Sequence, residues 1–243
     1  MKKMEFYGFE QIDFEFEGHP ALLVLPKEPD AKRNVALKTE YFGAFPNTEI
    51  ELLKKGFHLA YIKNNNRWAT PEDCATKARF IKYIAKEYGL RDQVVTIGMS
   101  CGCAFSVNLA GWHPGTVLCM YLEAPVLSFF SCPAELGAGK LPGAWENEFV
   151  KAYPGITKAS LFRSDMHPMC RIPSLLEQRI PMVMTYGTQD ATVPYLENGA
   201  MLAEEYDKTD IPHLVLARAE TGHHPHGLAD PTPVIDFILE ATK

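Results

Sequence analysis

Val94-Val95-Thr96-Ile97-Gly98-Met99-Ser100-Cys101-Gly102-Cys103-Ala104 is the stretch that decides the fold. Its first half is a β-branched apolar run, which predicts a buried strand at Val94–Gly98. Its second half opens a helix, expected over Ala104–Ala110. Gly98-x-Ser100-x-Gly102 lies between them. A GxSxG pattern is weak by itself, since chance produces it often, but between a strand and a helix it has a mechanical reason. Strand and helix press on the positions two before and two after the serine, where only a residue without Cβ fits easily. Such a turn lifts Ser100 off the carboxyl edge of the sheet and aims the Cys101 N–H at a developing oxyanion. The rival readings are Cys101 as nucleophile and a metal or redox pair of Cys101 with Cys103. The turn selects the serine, and CxC without further ligand spacing is a weak metal signal.

Strand and helix alternate through most of the chain. Further strands are expected at Val35–Tyr41, His58–Ile62, Val117–Leu122, Met182–Tyr186 and Leu214–Ala217, with helices between them. This predicts an α/β fold with a mostly parallel sheet of about eight strands, covered on both faces. Gln11–Glu17 and Ala21–Leu25, around Gly18-His19-Pro20, read as a hairpin that gives the sheet an antiparallel edge, because Ile12, Phe14 and Phe16 alternate with Asp13, Glu15 and Glu17. The clearest helix is Pro71–Tyr88: Thr70 caps it, Pro71 starts it, and Cys74, Ala78, Ile81, Ala85 and Tyr88 form one stripe before Gly89. A final helix is expected over Pro231–Ala241. From about 126 to 180 the alternation stops. This insertion is expected to be a small lid roofing Ser100 with Phe129, Phe130, Leu141, Trp145 and Phe149. No repeat or linker divides the 243 residues, so a single domain, 1–243, is expected.

The composition is that of an ordinary globular protein, 47% hydrophobic and 22% charged. The net charge of −6, without a basic stripe, argues against nucleic acid and an anionic membrane surface as partners. Glu5, Glu10 and Asp13 stand where a signal peptide needs an apolar core, and no apolar run approaches the roughly 20 residues that cross a bilayer. A cytoplasmic location is the expectation, with Cys74, Cys101, Cys103, Cys119, Cys132 and Cys170 as free thiols.

A serine hydroxyl needs a base, and the base needs a carboxylate to orient it. The apolar run Ile180–Tyr186 ends in Gly187-Thr188-Gln189-Asp190, which places Asp190 just past a strand. A turn-capping aspartate is its bland reading. Glu123, at the end of the strand after the elbow helix, is the alternative acid. Thr221-Gly222-His223-His224-Pro225-His226 comes after the last strand and completes the order Ser, Asp, His. His223 is the expected base, His224 its alternative, and His226 a loop-bonding residue. Three histidines in four residues also admit a zinc reading, disfavoured here because local crowding rarely gives tetrahedral geometry without a more distant ligand. The second oxyanion donor is expected from Tyr41 or Phe42, in the loop after Val35–Tyr41. Glu40, Asn66, Trp68 and Glu123 are the candidate substrate contacts, although an ordinary polar loop has the same composition as Asn64–Trp68.

With these residues in view the sequence resembles the α/β-hydrolase superfamily, and within it a bacterial group of serine esterases associated with polysaccharide use. The resemblance rests on Tyr7-Gly8-Phe9, Thr39–Phe45, Gly98–Gly102, Glu123–Leu127, Val193–Asn198 and Gly222–His226, and covers nearly the whole chain. It implies an eight-stranded hydrolase sheet and a triad of Ser100, Asp190 and His223. The chain departs from that group in having Cys101 and Cys103 where an arginine and a second glycine are usual. It also has Glu123 and Cys132 where aspartate and tryptophan are usual. The expected function is a carboxylesterase acting on a short acyl ester, an acylated sugar being one candidate, with a small-molecule substrate, no cofactor and no resident metal. The alternatives are a non-catalytic protein of the same fold that binds a sugar in the cleft, and a histidine-cluster metal protein.

Overall fold

All six residues of Val94–Met99 are buried, as a central strand of a sheet covered on both faces requires. In the computed structural model, which describes residues 2–243, this strand is β6 of nine. The others are β1 Lys2–Phe6, β2 Phe9–Phe16, β3 His19–Val24, β4 Val35–Lys38, β5 His58–Ile62, β7 Val117–Glu123, β8 Met182–Gly187 and β9 His213–Arg218. Their order is β1-β2-β3-β5-β4-β6-β7-β8-β9. The pairs β1·β2, β2·β3 and β3·β5 are antiparallel and the remaining pairs parallel. The sheet thus has one strand more than the eight expected. The added strand is β1, a charged edge strand with little alternation, joined to β2 through Tyr7 and Gly8, both with positive φ.

Alternate strand residues enter two cores. Leu37, Met120, Leu122 and Met184 pack with α2 (Pro71–Tyr88), α3 (Cys101–Trp112), α6 (Ile172–Glu177) and α7 (Gly199–Tyr206). Ala36, Cys119, Tyr121 and Val183 pack on the opposite face with α1 (Asn47–Lys54) and α8 (Thr232–Ala241). The bounds of α2 are those expected: Thr70 Oγ1 accepts from the Asp73 N–H at 3.3 Å, and Gly89 closes the helix at φ 63°. Helix α3 begins three residues earlier than expected, directly after Ser100. Ten of its twelve residues are buried, so no polar stripe marks its start. Strand β4 stops at Lys38, short of Tyr41, whose φ of 56° turns the chain away from the sheet.

The segment between β7 and β8 holds a π-helical turn (Trp145–Phe149), two short helices, α4 (Val150–Ala152) and α5 (Lys158–Leu161), a 3-10 turn (Pro168–Arg171) and α6. Its end, α6, belongs to the sheet's covering layer through Ile172 and Leu175. Its beginning is pinned beside the loop after β8. Asn198 Oδ1 accepts from the Leu127 and Ser128 N–H groups, and the Glu197 carboxylate accepts from Ser131 Oγ and the Ala138 N–H. None of the described helices is long and apolar enough to cross a membrane.

Helix α1 is tied to β4 by Lys38 Nζ and Glu49 Oε1, 2.5 Å apart and 2% and 3% exposed. Removing one partner of a buried pair leaves the other charge unpaired, whereas replacing both removes the charges together. Glu49→Gln is expected to lower unfolding free energy in chemical denaturation by about 3–5 kcal/mol. Lys38→Met with Glu49→Leu should recover most of that loss.

Candidate active site

Ser100 sits at φ 53° and ψ −118°, a strained conformation for a residue with a side chain. Its N–H bonds Glu123 O at the end of β7, and its carbonyl accepts from Val126 N–H and Cys103 N–H. The turn depends on close approach. A Cβ on Gly98 would lie 2.8 Å from Cys103 Cα and 2.9 Å from Cys103 N, both backbone atoms that cannot give way. Cys101 is the first residue of α3, so its N–H has no intrahelical acceptor and is free to meet an anion. The Cys101 side chain is 1% exposed and burial pushes its thiol above the usual range, which leaves it a poor nucleophile.

Asp190 is presented by the turn after β8. Its Oδ1 accepts from the N–H groups of Thr192 at 2.9 Å and Val193 at 2.8 Å. Its Oδ2 lies 2.7 Å from His223 Nδ1, and His223 Nε2 lies 3.0 Å from Ser100 Oγ. A carboxylate only accepts, so Nδ1 carries the proton and Nε2 is left to accept from the serine hydroxyl. The histidine loop reaches this position because Gly187 has no side chain: a Cβ there would meet Thr221 O and Gly222 O at 2.3 and 2.4 Å. The far side of the loop is clamped by Arg218, which donates to Pro225 O, and by Glu123, which accepts from the Gly227 N–H.

The structure therefore brings together Ser100, Asp190 and His223. It separates Glu123 from His223. Glu123 is 3% exposed, receives Tyr121 Oη–H at 3.3 Å, and stands 3.5 Å from His226 Nδ1 and 4.0 Å from Arg218. Burial raises its pKa, but His226, the Gly227 N–H and Arg218 outweigh that and hold it below the usual carboxylate value. It braces the loop below the cavity and contacts no substrate space. His224 is exposed, with its ring near Phe45, and burial together with His226 and His223 lowers its pKa.

A cavity of about 330 Å³ opens over Ser100. Its walls include Ala44, Phe45, Met99, Leu141 and Val193, with Tyr41, Arg67, Thr192 and the three histidines as the polar share. Of the other residues expected at the site, Tyr41 lines this cavity. The Phe42 ring turns away onto Phe6 and Tyr61, so only its backbone remains a candidate donor. As with Glu123, the other three expected substrate contacts are corrected. Trp68 is fully buried against Phe129 and Phe149. Asn66 spends its amide on Asp73 Oδ2 at 3.0 Å and its Oδ1 on the Trp68 N–H at 2.8 Å. Glu40 is bonded to Asn64 and lies outside the cavity wall. The aromatic ceiling is corrected as well: Leu141 alone of the five residues lines the cavity, while Phe129, Trp145 and Phe149 pack with Trp68 and Phe130 packs on Phe162 and His167.

Arg67, next to Trp68, is the residue the sequence under-reads. Packing of Trp68 and bracing of Asn65, Asn66 and Thr70 by Asp73 fix the loop. Arg67 then reaches the cavity wall beside Tyr41, paired through Nε and Nη2 with both oxygens of Glu148 at 2.6 and 2.8 Å. A cation thus stands beside Cys101 although none comes after Ser100 in the elbow itself. Glu148 is 81 residues away, so this pair leaves no local signal.

No family model and no curated protein sequence matches the chain. Among solved structures it is similar to the acetyl xylan esterase from Paenibacillus sp. R4, at 16% identity and a TM-score of 0.69 over 99% of this chain and 87% of that one. It is also similar to the Pyrococcus horikoshii acylaminoacyl peptidase, at 13% identity and a TM-score of 0.67 over 88% of this chain. This protein has the α/β-hydrolase fold. Puromycin hydrolase shares it, at 16% identity and a TM-score of 0.66 over 96% of this chain. This chain spans 37% of the acylaminoacyl peptidase and 38% of puromycin hydrolase, so it corresponds to little more than a third of each.

The two elbow glycines differ in what surrounds them. A Cβ on Gly102 would meet the Thr39 hydroxyl at 3.0 Å and Glu40 Cβ at 3.4 Å, tight contacts that a few tenths of an ångström relieve, unlike the 2.8 and 2.9 Å to backbone atoms at Gly98. Gly98→Ala is expected to lower Tm more than Gly102→Ala and to reduce any Ser100-dependent turnover by about tenfold or more, since misplacement of about 1 Å is already costly to catalysis. Thermal melts and initial rates on both variants check the ranking. Equal effects would contradict it.

Proposed function

We propose that the protein is a serine hydrolase that cleaves a short acyl ester through an acyl-enzyme. The observation that carries this reading is the single file of Asp190, His223 and Ser100, at 2.7 and 3.0 Å. Ser100 Oγ attacks the carbonyl carbon as His223 Nε2 takes its proton, and Asp190 holds Nδ1–H and stabilises the imidazolium that forms. The oxyanion is met by the Cys101 N–H and by the N–H of Tyr41 or Phe42, where Thr39 Oγ1, donating to Gly102 O at 2.7 Å, ties the two segments together. His223 returns the proton to the leaving alcohol. Water, deprotonated by the same imidazole, then releases the acid.

The wall chemistry supports a small acyl group on a polar alcohol. Leu141, Val193 and Met99 offer apolar surface, and the cavity of about 330 Å³ lies at the small end of ligand sites. Arg67 and Thr192 offer polar contacts to an alcohol portion such as a sugar. The similarity to an acetyl xylan esterase over nearly the whole of both chains points the same way. A purely binding protein of this fold would have no need of a serine held in a strained turn against an oriented imidazole.

Ser100→Ala is expected to reduce turnover of a p-nitrophenyl acetate-type ester by about 10⁴–10⁶-fold with an unchanged Tm. Among acyl chains, acetyl and propionyl esters should be cleaved at least about tenfold faster than octanoyl esters, since each extra methylene must find room in a small pocket. A profile that peaks at long chains would reject the short-acyl reading. Turnover that survives Ser100→Ala would remove the serine from the mechanism.

A further inference from the structure

His223, His224 and His226 place one ligand nitrogen each within 4.8 Å of one another. Their rings are mutually edge-on, with centroids 4.7 to 4.9 Å apart, and all three line the cavity over Ser100. Two of them are backed in the way that metal-binding imidazoles usually are, by a carboxylate on the nitrogen turned away from the centre. His223 has Asp190 on Nδ1 at 2.7 Å, and His226 has Glu123 facing Nδ1 at 3.5 Å. At that separation the hydrogen bond is not made, so His226 Nδ1 has no hydrogen-bond partner although the residue is 6% exposed. His223, its Nδ1 taken by Asp190, keeps Nε2 for the cavity, 3.0 Å from Ser100 Oγ. His224 has no hydrogen-bond partner among the described residues, and its exposed ring is able to rotate inward.

The geometry points to a second use of this cleft: a reversible inhibitory site for a divalent transition-metal ion, held by His223, His224 and His226. Three imidazoles with an open fourth position are a ligand set for zinc, whose Zn–N bonds of about 2.0–2.1 Å need ligand nitrogens about 3.4 Å apart. A contraction of up to about 1.4 Å is needed, which rotation of His224 can largely supply. Ser100 Oγ, 3.0 Å from His223 Nε2, or a water molecule completes the tetrahedron. The consequence for chemistry is direct. The lone pair on His223 Nε2 that accepts the serine proton is the one a metal would take, so the loaded protein has no base. This inhibition rests on the serine-hydrolase reading, whereas the metal site itself does not. The local spacing of the histidines, which in the sequence argues against a metal, is compensated by two carboxylates from β7 and from the loop after β8.

The test is a Zn²⁺ titration of chelator-treated protein, read in two ways: with a chromogenic zinc indicator in competition, and as the ratio of ester turnover with and without Zn²⁺, so that changes in basal rate cancel. One Zn²⁺ per chain is expected, with at least about tenfold loss of turnover at saturation and full recovery on adding chelator. Losing a supporting carboxylate alone weakens metal sites by roughly 10–100-fold, so His224→Asn, which removes a ligand, should weaken binding by at least about tenfold. Cys170→Ser, which removes the exposed thiol, should leave binding unchanged. Ser100→Ala separates the two claims: it should still bind one Zn²⁺ although it turns over nothing. No stoichiometric zinc, zinc undiminished in His224→Asn, or bound zinc without loss of turnover each overturns the inference. Wild-type protein that binds zinc as described but hydrolyses no ester would refute the esterase reading and the inhibition together, leaving a metal site.

Discussion

Everything at the site depends on how closely β6 and α3 approach at Gly98. The 2.8 Å between a notional Cβ there and Cys103 Cα leaves no slack, and that contact forces the chain through a turn in which Ser100 takes φ 53°. The strain is contained because both ends of the turn are buried and hydrogen-bonded: Ser100 N–H to β7, and Gly102 O to the Thr39 hydroxyl from the loop after β4. The same bonds fix the helix N-terminus behind the serine and the segment that carries Tyr41. Nucleophile position and oxyanion geometry are thus two results of one packing constraint.

Around this rigid centre the remaining parts are delivered by loops, each held by a different polar brace. Gly187 lets the histidine loop lie against the end of β8, and Arg218 with Glu123 holds its far side. Glu197 and Asn198 tie the insertion to the loop that carries Asp190, and this places Leu141 over the cavity. Asp73 gathers Asn65, Asn66 and Thr70 so that Arg67 faces inward. These braces are polar because loop backbones must find partners for their N–H and C=O groups away from any ladder. The consequence for function is a cavity with one apolar and one polar side, the polar side assembled from segments far apart in the chain.

The range of an interaction decides whether the sequence shows it. Helix α2 is legible to the residue because cap, first-turn proline, stripe and terminal glycine are local features. The parallel strands and the elbow are legible because burial on both faces writes a continuous apolar run. The order Ser100, Asp190, His223 is legible from the turn or loop that succeeds each strand, and the structure places those three side chains in contact. Strand β1 escapes a sequence reading because an edge strand carries charge in place of alternation. Asn66, Trp68 and Glu40 look like substrate contacts in sequence because composition shows that a loop is polar and aromatic but not which side faces the cleft. Asp73 takes the asparagines, and the aromatic cluster of the insertion takes Trp68. The pairing of Arg67 with Glu148 leaves no local signal because Glu148 is supplied from another segment. The insertion's aromatics suggest a pocket lining in sequence, but large rings close together pack on one another first.

The central claim is that Ser100 is a nucleophile made reactive by His223. It is tested most directly by covalent labelling with a fluorophosphonate, then intact-mass measurement and peptide mapping. The account predicts one adduct per chain, located on Ser100, formed rapidly in the wild-type protein, at least about a hundredfold more slowly in His223→Ala, and not at all in Ser100→Ala. An unlabelled Ser100 in folded wild-type protein, or labelling at the same rate without His223, would contradict it.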